Sequence, residues 1–487
     1  MKKTVVLYPG LAVGHFVPMM RLADVLLEEG YAVVVALIDI TMEQNIPFAA
    51  AVDRVTASKP SVTFHTLPRI HNPPTVTNDV QLLLGYFELM RRYNKHLHEF
   101  LSSLPPRSIH SVIMDSLSNV ALDVTKELRI PAYSFFTSNA STLAVFLQLP
   151  WVRTESQPSF KELGDATLSL HGVPPMPASH LIEEMLEDPE SEIYKAMTNS
   201  LSKNLEADGI LVNTFTSLEA RAVEALTDPQ FLPKSELKMP MLLCVGPLVE
   251  NAAETKEKHE CLAWLNEQPE HSVAFLCFGS VGRVNHLELQ LKEIAVGLER
   301  SGHRFLWVVR APLSDNPEKA FGYHTDPDLH SLLPEGFLER TKGRGLVVKL
   351  WAPQVDVLHH KATGAFVTHC GWNSMLEGIM AGVPMLCWPL HAEQKMNKVF
   401  IVEEAEIGME VVGWQEGLVK AEEVEAKVRL VLDSEEGEKL RARVTAHKEA
   451  AAMAWKNGGS SHTAFGKFLL DAGNLGKELR HASLVGY

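Results

Sequence analysis

Positive charge is what this chain is short of: 45 Lys and Arg stand against 60 Asp and Glu, a formal balance of −15. A surface of that sign repels a phosphate backbone, and no basic patch offsets it, so nucleic acid is excluded as a partner. Cysteine is scarce and odd in number. Of Cys244, Cys261, Cys277, Cys370 and Cys387, three lie in apolar runs that read as buried strands. That is thiol usage in a reducing compartment and not a disulfide frame, so the expected location is cytoplasmic. No window approaches the ~20 uninterrupted apolar residues that a membrane span requires. The opening MKKTVVLYPG breaks at Pro9-Gly10 without a small-residue cleavage site and reads as a first strand, not a signal peptide. Asn139-Ala140-Ser141 fits the glycosylation triplet, which means nothing without secretion. Also missing is a tight Gly-x-Gly-x-x-Gly after the first strand. Gly10 to Gly14 has the wrong spacing, which argues against a hydride-transferring dehydrogenase.

What is present is a repeated alternation of short β-branched runs with helical stretches, the pattern of parallel sheets covered by helices on both faces. At 487 residues the chain suits two domains of this α/β kind, doubly wound and facing each other across a cleft. TVVLYP, YAVVVALID, SVTFHTL, SVIMD, PAYSFFT and DGILVNTF supply strands of a first domain over residues 1–248, with a first helix from about Val17 to Glu29. Residues 249–262 are polar and read as a linker. VAFLCFGS, FLWVVR, LVVKLW, GAFVTH, PMLCWP and MEVVG then build a second domain over residues 263–455, in which 311–345 reads as a long surface loop. Residues 456–487 form a helical segment expected to cross back to the first domain.

In open parallel sheets, ligands sit beyond the carboxyl ends of the strands. The junction GAFVTHCGWNSMLEGIMAGVP loads one such end with polar groups: His369 after a strand to Thr368, then Asn373 and Ser374 in the first turn of a helix from about Trp372 to Ala381. Unsatisfied amides there, with the positive end of the helix dipole, suit a diphosphate. Glu377, one turn on, can accept from ribose hydroxyls. Taken alone, the junction reads equally as an ordinary helix cap with a buried Trp. Its neighbours add to it. Trp351-Ala352-Pro353-Gln354 displays an indole at one strand end, suited to a flat base, and Glu393-Gln394 closes another with a carboxylate and an amide suited to sugar hydroxyls.

Transfer of a group to a hydroxyl needs a base, and His is the side chain with the appropriate pKa. His15 follows the first strand and a glycine loop, just before the first helix. Asp115 ends the strand SVIMD and can steady an imidazolium, or can cap a helix over residues 116–128. Asp326-Pro327-Asp328 has the form of a metal-binding Asp-x-Asp but lies in a polar loop away from any strand end, so it reads as chance, and no metal or other cofactor is expected.

Trp351 to Gln394 spans 44 residues and resembles the signature box of plant family-one UDP-dependent glycosyltransferases, which runs from Trp-Ala-Pro-Gln to a terminal Asp/Glu-Gln pair, with His-Cys-Gly-Trp-Asn-Ser and Gly-Val-Pro elements between. The likeness extends over essentially the whole chain, more loosely from about 150 to 205. It implies a GT-B fold of two Rossmann-like domains and inverting transfer of glucose from UDP-glucose to a small phenolic, flavonoid-like acceptor. It further implies that Trp351 stacks on uracil with Ala352 and Gln354 nearby, that Glu377 binds the ribose, and that His369, Asn373, Ser374 and Ser280 hold the phosphates. Trp372, Glu393 and Gln394 would contact the sugar, and a terminal Gln is usually associated with glucose. Gly14-His15 and Asp115 match the family's catalytic dyad, with Gly14 on the donor side. His391 departs from the usual Tyr or Phe and, with Phe16, would border the acceptor, near Tyr86-Phe87 and the segment from Thr137 to Trp151. The enzyme is expected to act as a monomer. C-glycosylation of a phenolic ring, a UDP-sugar epimerase or phosphorylase, and a non-catalytic sugar-nucleotide binder are the alternatives; the last has no need of a paired base.

Overall fold

The computed structural model describes residues 2–39, 46–74, 79–105, 107–154, 156–232, 238–250, 259–279, 287–310 and 326–485. The chain divides into two compact units, Met1–Leu248 with Ala454–Tyr487, and Val249–Met453.

In the first unit the strands are β1 (Thr4–Tyr8), β2 (Ala32–Ile38), β3 (Thr63–Leu67), β4 (Ile109–Asp115) and β5 (Ala132–Phe136). A two-residue antiparallel pair follows, β6 (Thr167–Leu168) and β7 (Met176–Pro177), and then β8 (Gly209–Val212) and β9 (Met241–Cys244). All but the small pair form one parallel sheet in the order β3-β2-β1-β4-β5-β8-β9. The chain winds outward from β1 and returns to β4 on its other side, so the crevice where winding reverses lies between the ends of β1 and β4. The run TVVLY is apolar throughout because both faces of β1 are covered: Val5 and Leu7 enter one core, Val6 and Tyr8 the other. Burying each such side chain stabilises the fold by about 1.5–3 kcal/mol.

The first helix is longer than its sequence indicates, running from Val13 to Glu28. Proline favours the opening turn of a helix, which points to a start near Val17. The backbone begins four residues earlier, with His15 and Phe16 N–H both donating to the Ala12 carbonyl and Pro18 inside the helix. Phe16, Met19, Ala23 and Leu26 repeat at helical spacing and are buried. The strand β9 was not expected, although Pro240 precedes it and Gly246-Pro247 follows it. After β4 comes a 3-10 turn (Asn119–Ala121) and then a helix only from Leu122 to Glu127, instead of one over 116–128.

In the second unit β10 (Val273–Cys277), β11 (Arg304–Val309), β12 (Gly345–Lys349), β13 (Thr363–Thr368), β14 (Met385–Cys387) and β15 (Gly408–Glu410) make a parallel sheet in the order β12-β11-β10-β13-β14-β15. Winding again reverses beside the first strand, between β10 and β13. The polar stretch 249–262 gives way at Glu260 to the helix Glu260–Asn266, so the linker reading is too long at its far end; residues 251–258 lie outside the described residues. Of the long loop over 311–345, residues 326–344 contain two short helices, Leu329–Leu332 and Phe337–Arg340.

The last helix, Ser460–Val485, belongs to the first unit. Phe465, Phe468 and Ala472 enter the core around β1, Tyr133 donates its hydroxyl to Asp471 at 2.6 Å, and Ser461 donates to the Gly246 carbonyl at 2.5 Å. All five cysteines are free and buried. Among the described residues no helix is long and apolar enough to cross a membrane. Asn139 of the glycosylation triplet is buried and caps the helix Ala140–Val152, accepting from Thr142 N–H at 2.6 Å.

Candidate active site

Two groups of side chains, one in each unit, are the candidates for the chemistry. In the first, His15 and Asp115 lie 100 residues apart and meet at the ends of the adjacent strands β1 and β4: His15 Nδ1 donates to Asp115 Oδ2 at 2.7 Å. The Asp115 side chain is wholly buried while 29% of His15 is exposed, so the pair presents imidazole outward with its carboxylate behind. The other carboxylate oxygen accepts from Leu117 N–H at 2.9 Å, and Thr137 Oγ1 lies 3.4 Å from His15 Nδ1. Asp115 therefore closes an Asx turn and orients a histidine; it caps no helix. With the Nδ1 proton directed at Asp115, the imidazole lone pair sits on Nε2. Gly10, in sequence only a glycine at a strand end, is sterically required by this pair. A Cβ there would stand 2.9 Å from Asp115 Cγ and Oδ1 and 3.2 Å from His15 Cβ, so only glycine leaves room for the pair.

Gly14 is exposed in the first turn of the helix. Phe16 is not at the border of an acceptor site: it is fully buried against Phe48, ring centroids 5.5 Å apart. One residue past His15 on a helix, its side chain turns about 100° away, into the core. Tyr86 donates or accepts at Ser118 Oγ, 2.9 Å away. Burial, with the nearby Asp115 charge, raises its hydroxyl pKa well above the usual phenol range.

In the second unit the segment Trp351–Gln394 follows β12, β13 and β14. These strands are consecutive in the chain but not in the sheet, because β11 and β10 separate β12 from β13. The three strand ends are consecutive as expected from the chain, while in the sheet the ends of β11 and β10, bearing Arg310 and Gly279, stand between Trp351 and His369. Trp351 is 42% exposed and meets His259 edge-on at 5.7 Å. Ala352 is buried. Gln354 Nε2 donates to Ser374 Oγ (2.9 Å) and to Glu377 Oε2 (2.6 Å), tying the first turns of two helices together. Burial pushes the Glu377 carboxyl up to about 7, with Gln354 opposing and Glu250 adding to the rise.

His369 is clasped by backbone. A Cβ on Gly279 or on Gly371 would fall 2.5 Å from its Nε2. Burial, with the nearby His391 and Arg310, pushes its pKa down to about 3, so this imidazole is neutral at pH 7 and acts as a hydrogen-bonding group, not a cation. Its Nδ1 is buried with no hydrogen-bond partner among the described residues. The helix Trp372–Ala381 begins at Gly371 without a side-chain cap, leaving its first amides for an anion. Asn373 lies in that turn, and Ser374 is already engaged by Gln354. Ser280, expected beside the phosphates, lies outside the described residues.

Two sugar-site expectations change. Trp372 is 3% exposed and packs against Phe400, centroids 6.0 Å apart, so its indole is core and not an open sugar platform. Gln394 is buried, and its Oε1 accepts from Leu390 and His391 N–H at 2.9 and 3.0 Å, with Nε2 3.4 Å from His391 Nδ1. Its side chain shapes the loop that carries His391 and Glu393. Glu393 lies 3.4 Å from Asn397 Nδ2, which also donates to the Cys370 carbonyl. Each of the three strand ends is followed by a non-glycine residue in left-handed backbone: Leu350 (φ 65°), Cys370 (φ 67°) and Ala392 (φ 54°). Such strain persists only where the surroundings over-determine it, and it concentrates at functional sites. Of Asp326-Pro327-Asp328, Asp328 caps the helix Leu329–Leu332 and Asp326 pairs with Lys349 at 2.9 Å.

Two doubly wound parallel sheets, one with an uncapped helix N-terminus at its switch point and one with a His–Asp pair at its own, define a nucleotide-handling α/β protein. The family model for "UDP-glucoronosyl and UDP-glucosyl transferase" matches residues 100–439. UDP-glycosyltransferase 1 of Pueraria montana var. lobata is 39% identical over 96% of this chain and 99% of its own. An anthocyanidin 5,3-O-glucosyltransferase of a Rosa hybrid cultivar is 39% identical over 95% and 97%. The structure of Phytolacca americana UGT2 complexed with UDP-2fluoro-glucose and pterostilbene matches with a TM-score of 0.83 at 30% identity, covering 96% of this chain and 99% of that one. The chain belongs to the UDP-glucuronosyl and UDP-glucosyl transferase family, with the GT-B fold of plant UDP-glycosyltransferases. It is an enzyme that transfers a glycosyl group from a UDP-sugar.

Proposed function

We propose that this enzyme transfers glucose from UDP-glucose to a hydroxyl of a small phenolic acceptor, flavonoid-like in class, with inversion at the anomeric carbon and without a metal. The observation that carries the mechanism is the 2.7 Å bond from His15 Nδ1 to a wholly buried Asp115. Nε2 then takes the acceptor proton as the oxygen attacks, and Asp115 stabilises the imidazolium. Attack opposite the departing UDP turns an α-linked donor into a β-glucoside. The charge developing on UDP is met by the first amides of the helix Trp372–Ala381 and by neutral His369. Trp351 stacks on uracil, Glu377 accepts from the ribose, and Glu393 faces the glucose hydroxyls on a loop shaped by Gln394. Support for the acceptor class comes from a relative whose name specifies an anthocyanidin and from a structural neighbour holding pterostilbene.

The test is single-turnover transfer from UDP-glucose to a panel of flavonoids and stilbenes. His15→Ala is expected to lower the rate by at least ~10²–10⁴-fold, the usual contribution of a general base. UDP affinity should stay within a few fold. Full turnover by that variant sinks the assignment. Asp115→Asn is expected to lose rate heavily while keeping its fold, and an unchanged rate would return Asp115 to a structural role.

A further inference from the structure

Arg310 follows β11 immediately and, beyond its charge near His369, has no part in the reading above. Its side chain is largely buried, which lowers its pKa, and among the described residues no carboxylate pairs with it. Its Nε instead donates to the carbonyl of Leu350 at 2.9 Å. The residue before it, Val309, accepts from Leu350 N–H at 2.8 Å. Two successive residues at the end of β11 thus hold both backbone polar groups of one residue at the end of β12.

That residue is under strain. Leu350 has φ 65°, the left-handed region that strains a side chain bearing Cβ, and the next residue folds back so that Trp351 N–H donates to the Lys349 carbonyl at 2.7 Å. The reversal turns the Trp351 indole out, 42% exposed, with His259 against one edge. Trp351 is no part of the buried core, and a relaxed backbone at Leu350 would aim its indole elsewhere.

We propose that Arg310 is a positioning residue for nucleobase recognition: through its bond to the Leu350 carbonyl it holds the left-handed turn that presents Trp351 to the uracil ring. The inference rests on the reading that Trp351 stacks on uracil, and it separates Arg310 from the obvious competing role of a cation on the diphosphate. A turn-holding Arg acts on a ligand with no phosphate, whereas a phosphate ligand does not.

The experiment is calorimetric titration of the full-length enzyme with uridine and with UDP, for wild type, Arg310→Lys, Arg310→Gln and Trp351→Ala. Both Arg310 variants are expected to weaken uridine and UDP by the same factor, roughly tenfold, which corresponds to ~1.4 kcal/mol. The kinetic loss should fall on KM for UDP-glucose and not on kcat. R310K keeps the buried charge but not the Nε donor, so it reports on the bond even if R310Q fails to fold. The double variant R310K/W351A should bind uridine no worse than W351A alone, because the turn has then nothing to present. Unchanged uridine affinity in R310K, with W351A weakened, overturns the inference and leaves the stack standing. Loss of UDP affinity alone makes Arg310 a phosphate ligand and likewise overturns it. Unchanged uridine affinity in W351A defeats the stacking reading itself.

Discussion

At the scale of single residues, two titrating groups of the second unit pull stability in opposite directions with pH. Glu377 is raised to about 7 from 4.5, so across that window the native state keeps a proton that the unfolded chain has released, and its contribution to stability falls as pH rises. His369 is lowered to about 3 from 6.5, so the unfolded chain binds a proton that the native state refuses, and stability falls as pH drops through that window. Melting midpoints of the unliganded enzyme should therefore show Glu377→Gln gaining on wild type as pH rises from 4.5 to 7. His369→Gln should gain as pH falls from 6.5 to 3. Profiles parallel to wild type would remove both assignments. A ribose hydroxyl donates best to an ionised carboxylate, so UDP is also expected to bind more tightly as pH rises through 7, and E377Q to flatten that dependence in titrations.

Gly10 belongs to the same scale. Gly10→Ala introduces a Cβ at 2.9 Å from Asp115, and a fully buried carboxylate has nowhere to retreat without moving His15. The expected result is a fall in kcat of about 10–100-fold, as misplacement near 1 Å produces. UDP affinity should not change, since the candidate donor residues belong to the other unit; a wild-type kcat would show that the dyad tolerates the methyl group.

At the scale of elements, the backbone clasp on His369 joins the end of β10 to the start of the helix Trp372–Ala381. Gly279 has φ 75° as well as a Cβ position 2.5 Å from the imidazole, so Gly279→Ala meets both strain and collision. Its effect should be loss of UDP binding by at least tenfold in titration, since a 1.4 kcal/mol perturbation already suffices for that. The terminal helix is tested by Phe468→Ala. Phe468 is fully buried and packs edge-to-face on Tyr133 at 4.8 Å, and truncating a buried Phe costs about 3–5 kcal/mol. Urea unfolding followed in the first unit should record that loss, and a change below 1 kcal/mol would mean the helix is dispensable there.

At the scale of the molecule, two units with separate cores are expected to unfold in two steps, only one of which senses the donor. At 100 times its dissociation constant UDP stabilises the unit that binds it by about 2.7 kcal/mol. Scanning calorimetry with UDP should raise the transition of Val249–Met453 and leave the other in place. Equal shifts in both would assign donor contacts to each unit.

What the sequence determined by itself is local. Strand ends, the helix Trp372–Ala381 and the polar residues at their junctions were legible because continuous apolar runs and helical spacing are written in consecutive residues. Two strand ends left Asp115 open between a partner for His15 and a helix cap, the family resemblance implied the pairing, and the parallel neighbours β1 and β4 bring it about. Phe16 faces core because sequence reveals that a residue lies near a junction but not which way a helix face turns it; Trp372 is buried, as the plain helix-cap reading of its junction had it, and not open as the resemblance implied. Gln394 was recognised by type, yet its side chain is engaged by its own loop. Tertiary structure alone decided that β11 and β10 lie between β12 and β13, because strand order is set by winding and not by chain order. That insertion puts Arg310 beside Leu350 and Gly279 against His369, contacts between residues 40 and 90 positions apart that no local pattern encodes.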